Sequence, residues 1–137
     1  MLKSLLLFMI LWLFSACEEK ATPVITKSPN LTPPLNCLSL NSIDLDTEFN
    51  STLQELYRFD PKCHWHLSVS YKRNIVCNSS YNAMSKNMGK FPKSFIKLEV
   101  RRGMEPLYSY YVDLYHNANR EDLVMGMEQL KKDLLSK

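Results

Sequence analysis

Glycine is scarce in this chain: Gly89, Gly103 and Gly126 are the only three in 137 residues. They lie too far apart to form a glycine-rich phosphate loop, so nucleotide-binding loop motifs are excluded. Long apolar runs are missing as well. The longest, Leu5 to Phe14, is ten residues, about half the roughly 20 that a membrane-spanning helix needs. Nor is there an excess of one charge. Lys and Arg number 17 against 14 Asp and Glu, and the basic residues are scattered as the pairs Lys72-Arg73, Arg101-Arg102 and Lys131-Lys132. A nucleic-acid binder would cluster them on one face, so no nucleic-acid partner is expected. No Ser–His–Asp arrangement is recognisable, and no close carboxylate pair suggests glycoside hydrolysis. With no internal repeat and no catalytic constellation, neither an enzyme nor a cofactor is expected.

What the chain does contain starts at its N-terminus. Met1, Leu2 and Lys3 make a small positive region, Leu5 to Phe14 an apolar stretch of signal-peptide size, and Ser15-Ala16 a small pair before Cys17. Phe14-Ser15-Ala16-Cys17 resembles the bacterial lipobox, with Phe14 where that family prefers Leu. The resemblance implies that residues 1–16 are removed and that Cys17 becomes an N-acyl diacylglyceryl cysteine held in the lipid bilayer. Two or more acyl chains anchor a protein firmly without help from the polypeptide. Glu18, rather than an aspartate, follows the cysteine. In the family this favours transfer to the outer membrane over retention in the inner one, so the expected location is the cell envelope. Loss of Lys3 with the leader takes the formal charge from +3 to +2.

Residues 17–36 read as a lipidated terminus and a proline-rich tether. Pro23, Pro29, Pro33 and Pro34 sit among Thr, Ser, Asn and Lys with no apolar periodicity. In a polyproline-like state such a tether would reach roughly 60 Å, at about 3.1 Å per residue. Residues 37–137 are long enough for one modest core and form the single expected domain.

Within that domain Leu38 and Leu40 suggest a short strand. Asp46 is a helix N-cap ahead of Phe49, Leu53, Leu56 and Tyr57, which fall on one helical face. Cys63 to Lys72 alternates apolar and polar residues, the clearest strand, with Asn74 in the turn after it and Ile75 to Cys77 as a short return strand. Ser79 or Ser80 would cap a short helix carrying Tyr81, Met84 and Met88 and closed by Gly89. Ile96, Leu98 and Val100 alternate with Lys97, Glu99 and Arg101. Beyond a loop holding Gly103 and Pro106, Tyr108, Tyr110, Val112 and Leu114 complete a hairpin. Asn119, with Asp122 in capping-box position, starts a last helix with its apolar stripe on Leu123, Met127, Leu130 and Leu134. The order predicts an α+β fold: a small antiparallel sheet with helices packed on one face. In topology alone it is similar to the C-terminal domains of TolA and TonB and to LptE-like lipoproteins that assist outer-membrane assembly. No residue motif is shared with either, so no functional residue carries over.

Cys37, Cys63 and Cys77 remain for an oxidising compartment, where two would pair and one stay odd. Cys63 with Cys77 is the favoured pair, because both flank one expected strand; Cys37 stapling the domain's start to its middle is the alternative. His64 and His66, on one face of that strand, are metal-ligand candidates, with His116 or an acidic residue as a third ligand. Cys63 beside His64 raises a Cys–His dyad, which oxidation of Cys63 would end. Glu48-Phe49-Asn50-Ser51-Thr52 resembles the extended acceptor sequon of bacterial N-glycosylation. Tyr108, Tyr111 and Tyr115 are partner-binding candidates, being aromatics with polar tips. The sequence therefore points to a non-enzymatic envelope lipoprotein that binds another envelope protein. A metal-binding or redox lipoprotein using His64, His66 and a free cysteine is the alternative, and a surface antigen without a specific partner a third reading.

Overall fold

The computed structural model describes residues 21–76 and 91–136. Cys17, Cys77 and the short helix expected over 79–89 lie outside them. In chain order the elements are β1 (Val24–Lys27), β2 (Ser39–Asn41), α1 (Thr47–Leu56), β3 (Trp65–Lys72), β4 (Ser94–Arg102), β5 (Glu105–Leu114) and α2 (Arg120–Leu134). The strands form one five-stranded sheet in the order β1-β5-β4-β3-β2. Three of its four pairings are antiparallel, while β2 runs parallel to β3. The α+β class is thus as expected, but the sheet is mixed rather than purely antiparallel. A parallel pair needs a crossover, and here α1 is that crossover.

Both helices begin where the sequence places them. The Asp46 carboxylate accepts the Phe49 N–H at 2.8 Å. Asn119 and Asp122 exchange side-chain bonds with each other's backbone N–H groups, at 3.1 and 2.9 Å. Each bond satisfies an amide that the first helical turn leaves without a partner. Phe49 and Leu53 of α1 and Leu123, Met127, Leu130 and Leu134 of α2 are fully buried. They close over Leu67, Val69, Ile96, Leu98, Val100, Tyr110 and Val112 from one side of the sheet. The Lys131 ammonium, near the end of α2, donates to the Leu56 carbonyl that α1 leaves open, at 3.0 Å.

Gly126 sets how closely α2 lies on the sheet. A Cβ there would stand 2.8 Å from Leu98 Cδ1 and 3.0 Å from the Tyr110 ring. Alanine would gain about 1 kcal/mol of helix propensity, but overpacking a filled core costs about 1–3 kcal/mol. Gly126→Ala is expected to lower the thermal midpoint; an unchanged or raised midpoint would show that Leu98 and Tyr110 yield freely.

Three expectations are corrected. First, residues 17–36 are not all tether. Val24–Lys27 is strand β1, paired antiparallel with Tyr108 to Tyr111 of β5. Second, the disulfide joins Cys37 to Cys63, with Cα atoms 5.9 Å apart, instead of Cys63 to Cys77. Proximity along one strand favoured the latter, but the parallel docking of β2 beside β3 brings Cys37 to Cys63. Third, the β4–β5 turn is only Gly103-Met104, with Gly103 at φ +59°, where glycine avoids the Cβ penalty. Pro106 lies inside β5, opposite Arg101, next to a bulge that leaves Leu107 unpaired with β4. A bulge near a strand's start is where proline's missing N–H costs least. Ile75 and Val76 form no strand, although Asn74 has the expected left-handed backbone, φ 52°.

The sheet has two ends. At the upper end lie the start of β1, the β2–α1 loop, the end of β3, the start of β4 and the β5–α2 loop. At the lower end lie the disulfide, the Gly103-Met104 turn and the end of α2, where Leu35 N–H donates to the Leu134 carbonyl at 2.7 Å.

Candidate functional site

Because α1 and α2 share one side of the sheet, none of the described elements packs on the other. Strand alternation fixes what that free face carries. From β3 it has His66, Ser68, Ser70 and Lys72; from β4, Phe95, Lys97, Glu99 and Arg101. From β5 it has Ser109, Tyr111 and Asp113, and from β1, Val24 and Thr26. Phe95 stacks on Tyr111 with ring centroids 5.6 Å apart and planes at 26°. The Tyr111 hydroxyl donates to Asp113 at 2.7 Å. That bond to a carboxylate, with partial burial, pushes the Tyr111 pKa above its ordinary value and keeps the phenol neutral.

Beside the aromatic pair runs a row of charge. Glu99 accepts from Lys97 at 2.7 Å and from Arg101. Burial pushes the Glu99 carboxyl up, but the two cations overcome it and hold the pKa below the ordinary carboxylate value. The face therefore offers an aromatic platform with hydroxyl and carboxylate edges next to an ionised, mutually satisfied triad. Such a surface can dock a protein: it has flat apolar area, fixed polar tips and little side-chain freedom to lose.

Of the three tyrosines expected to meet a partner, two reach the surface. Tyr111 lies on the free face and Tyr115, one residue past β5, is exposed. Tyr108 does not belong with them. Its place in the β5 alternation turns it to the helix side, where it is fully buried. There its hydroxyl donates to Asp133 at 2.9 Å, and Asp133 also accepts from Gln129 at 3.1 Å and Lys27 at 3.2 Å. Phe95 was missed by sequence reasoning. Its alternation with buried Ile96 was the available signal, but only the hairpin register shows that it meets Tyr111.

The Asp133 network gives a pH dependence. Burial pushes the Asp133 carboxyl up, yet the donors Gln129, Tyr108 and Lys27 bring it below 3.8. Asp46 is lowered similarly, burial being outweighed by the Phe49 N–H and Arg73. A depressed carboxyl contributes stability above its unfolded pKa and loses it as pH falls through the folded one. Stability is expected to fall as pH drops below about 4, and Asp133→Asn should flatten part of that acid limb in denaturant titrations. An acid limb identical in wild type and variant would show that the network contributes nothing.

Comparison with protein-family models, with curated proteins and with solved structures gives no match. The chemistry must therefore be read from the residues themselves. His64 precedes β3 and His66 lies on it, with Nδ1 2.6 Å from the Ser39 hydroxyl. His116, the expected third ligand, is at the opposite end of the sheet, its Nε2 2.9 Å from Asp122. No group of three metal-ligating side chains forms among the described residues. Cys63 is in the disulfide, so a Cys–His dyad has no thiolate. Asn50 of the glycosylation-like sequon is in the middle of α1, between buried Phe49 and Thr52, where a glycosyltransferase could not reach it without unfolding the helix.

Proposed function

We propose that the chain is a lipid-anchored, non-enzymatic accessory or binding subunit of an envelope complex, tethered at Cys17 and docking its partner on the face of the sheet that neither described helix covers. The observation that carries this reading is the face itself. Five strands bury one side under two helices, and the other side presents the Phe95–Tyr111 stack beside the Lys97–Glu99–Arg101 row. Anchoring rests on the leader, the small pair and Cys17 in their order along the sequence. The outer membrane is the favoured location, on the strength of Glu18. A hairpin followed by a terminal helix, the feature shared in topology with LptE-like lipoproteins, fits an accessory subunit of an assembly machine.

Tyr111→Ala tests the face. The Tyr111 side chain is only half-buried, so truncation is expected to leave the denaturant midpoint nearly unchanged. It should also weaken the partner complex by about 1–2 kcal/mol, the scale of an aromatic contact residue, and adding Tyr115→Ala should extend the loss. Unchanged affinity with both tyrosines removed would move the interface elsewhere. Labelled fatty acid should enter the wild type and not Cys17→Ala; equal labelling of both would remove the anchor.

A further inference from the structure

The anchor and the fold together bear on how the domain stands on its membrane. Expected as a tether of nineteen residues, the stretch after Cys17 is cut short by β1, which starts at Val24. Seven residues fully stretched reach at most about 25 Å, at about 3.3–3.6 Å each, and a flexible chain of that length averages only about 15 Å. Val24 pairs with Tyr111, near the top of β5, so the chain joins the domain at its upper end.

Most of the exposed large apolar side chains of the described residues gather at that end, although Met104, 88% exposed, stands alone at the lower one. Ile43 in the β2–α1 loop is 85% exposed, Val76 beyond β3 68%, Val24 62% and Tyr115 38%. They extend from the β2 side of the sheet to the β1 side, and they sit on a braced framework. Arg73 donates to Asp46 and to the Ala118 carbonyl, each at 2.7 Å. Asn74 and Asn117 bond each other twice at 2.9 Å, and Ile75 N–H donates to the Lys93 carbonyl at 2.8 Å. A cleft of about 350 Å³ opens there between Ile75, Val76, Pro92 and Lys93.

We propose that this upper end lies against the lipid surface into which Cys17 is inserted, with Ile43, Val76 and Val24 entering the headgroup boundary. The inference rests on the reading of Cys17 as the acylated residue. The opposite orientation is disfavoured by length. Standing on the Gly103-Met104 turn would hold Val24 about 23 Å above the lipid, at about 3.3 Å per residue from Met104 to Tyr111, which needs the linker fully extended. Lys72 and Lys93 are exposed at the upper end, but so are Asp44 and Asp113, so contact is apolar in origin and persists on zwitterionic lipid. The face that neither described helix covers then stands upright beside the membrane, turned toward a neighbour in the same bilayer.

The mature chain offers an internal control. Trp12 leaves with the leader, and Trp65, the other tryptophan, pairs with Arg102 at the lower end. Full-length acylated protein is reconstituted in vesicles of phosphatidylcholine with brominated acyl chains, as wild type and as Ile43→Trp and Val76→Trp, each with Trp65→Phe. Emission from tryptophan at 43 and 76 is expected to fall severalfold relative to unbrominated vesicles, while that of Trp65 in the wild type stays unchanged. Equal quenching at both ends, or none at 43 and 76 in acylated protein, overturns the orientation. Shielding at 43 and 76 from a water-soluble quencher without bromine quenching would mean that protein covers this end, and also overturns it. The mass of the N-terminal peptide from the same sample separates the two claims. An unacylated Cys17 defeats the anchor reading and the orientation with it, whereas an acylated but unquenched chain defeats the orientation alone.

Discussion

Replacing Cys37 and Cys63 by serine is expected to destabilise the domain by about 3–4 kcal/mol, the chain-entropy value for a loop of this length. The bridge spans 26 residues, a loop that contains β2, α1 and the connection to β3. It fixes the start of β2 beside the start of β3, at the only parallel pairing of the described sheet. That pairing is three residues long and has few backbone bonds of its own to hold α1's crossover closed. A domain of this size is typically stable by about 5–15 kcal/mol, so the loss is a large fraction of the whole. Urea titration with and without reductant reads it: the wild type under reductant should behave as the double serine variant, and Cys77→Ser should leave the midpoint in place. A midpoint displaced by Cys77→Ser and indifferent to Cys37→Ser would restore the Cys63–Cys77 pairing.

Phe49→Ala is expected to cost about 3–5 kcal/mol, the range for truncating a fully buried aromatic. Phe49 is the largest side chain of α1 in the core and lies 4.5 Å from the Tyr71 ring, centroid to centroid. The Arg73 guanidinium sits over both rings, 4.7 Å from Phe49 and 4.9 Å from Tyr71. Removing the ring leaves a cavity, and it also takes away one wall of the seat that holds Arg73 against Asp46 and the Ala118 carbonyl. The N-cap of α1 is thereby loosened with the core. The variant should unfold at lower urea with an unchanged dependence on urea concentration, and the upper-end amides of Asn74 and Ile75 should lose hydrogen-exchange protection first. A cost below about 1 kcal/mol, less than a single buried methyl group often costs, would mean that Tyr71 and Leu53 collapse into the space.

The parts of the fold that were legible in the sequence are those fixed by local chemistry. Asp46 and Asn119 sit three residues ahead of amides they can cap, and both helices start there. Leu67 and Val69 alternate with His66 and Ser68, and the strand buries the first pair. What the sequence hid depends on pairing over long separations. Val24–Lys27 has no apolar periodicity, lies between prolines and is exposed throughout. It is a strand only because β5 supplies its backbone partners, a fact that no local pattern encodes. The parallel docking of β2, and hence the Cys37–Cys63 bond, is hidden for the same reason. The candidate site was partly legible. Alternation placed Lys97, Glu99 and Arg101 away from the core, but the Phe95–Tyr111 stack needs the β4–β5 register. Tyr108 illustrates the opposite case: the same alternation that buries Tyr110 and Val112 buries it, and its polar tip serves Asp133 rather than a partner.

The measurement that bears most directly on the account is site-specific photocross-linking in intact cells. A photoreactive phenylalanine replaces Tyr111 on the free face in one strain and Met125, exposed on the outer side of α2, in another. A lipid-anchored binding subunit that docks through the sheet should give one stoichiometric envelope-protein adduct from position 111, absent from position 125 and lost in the Cys17→Ala variant. No adduct from position 111, or the same adducts from both positions, would contradict it.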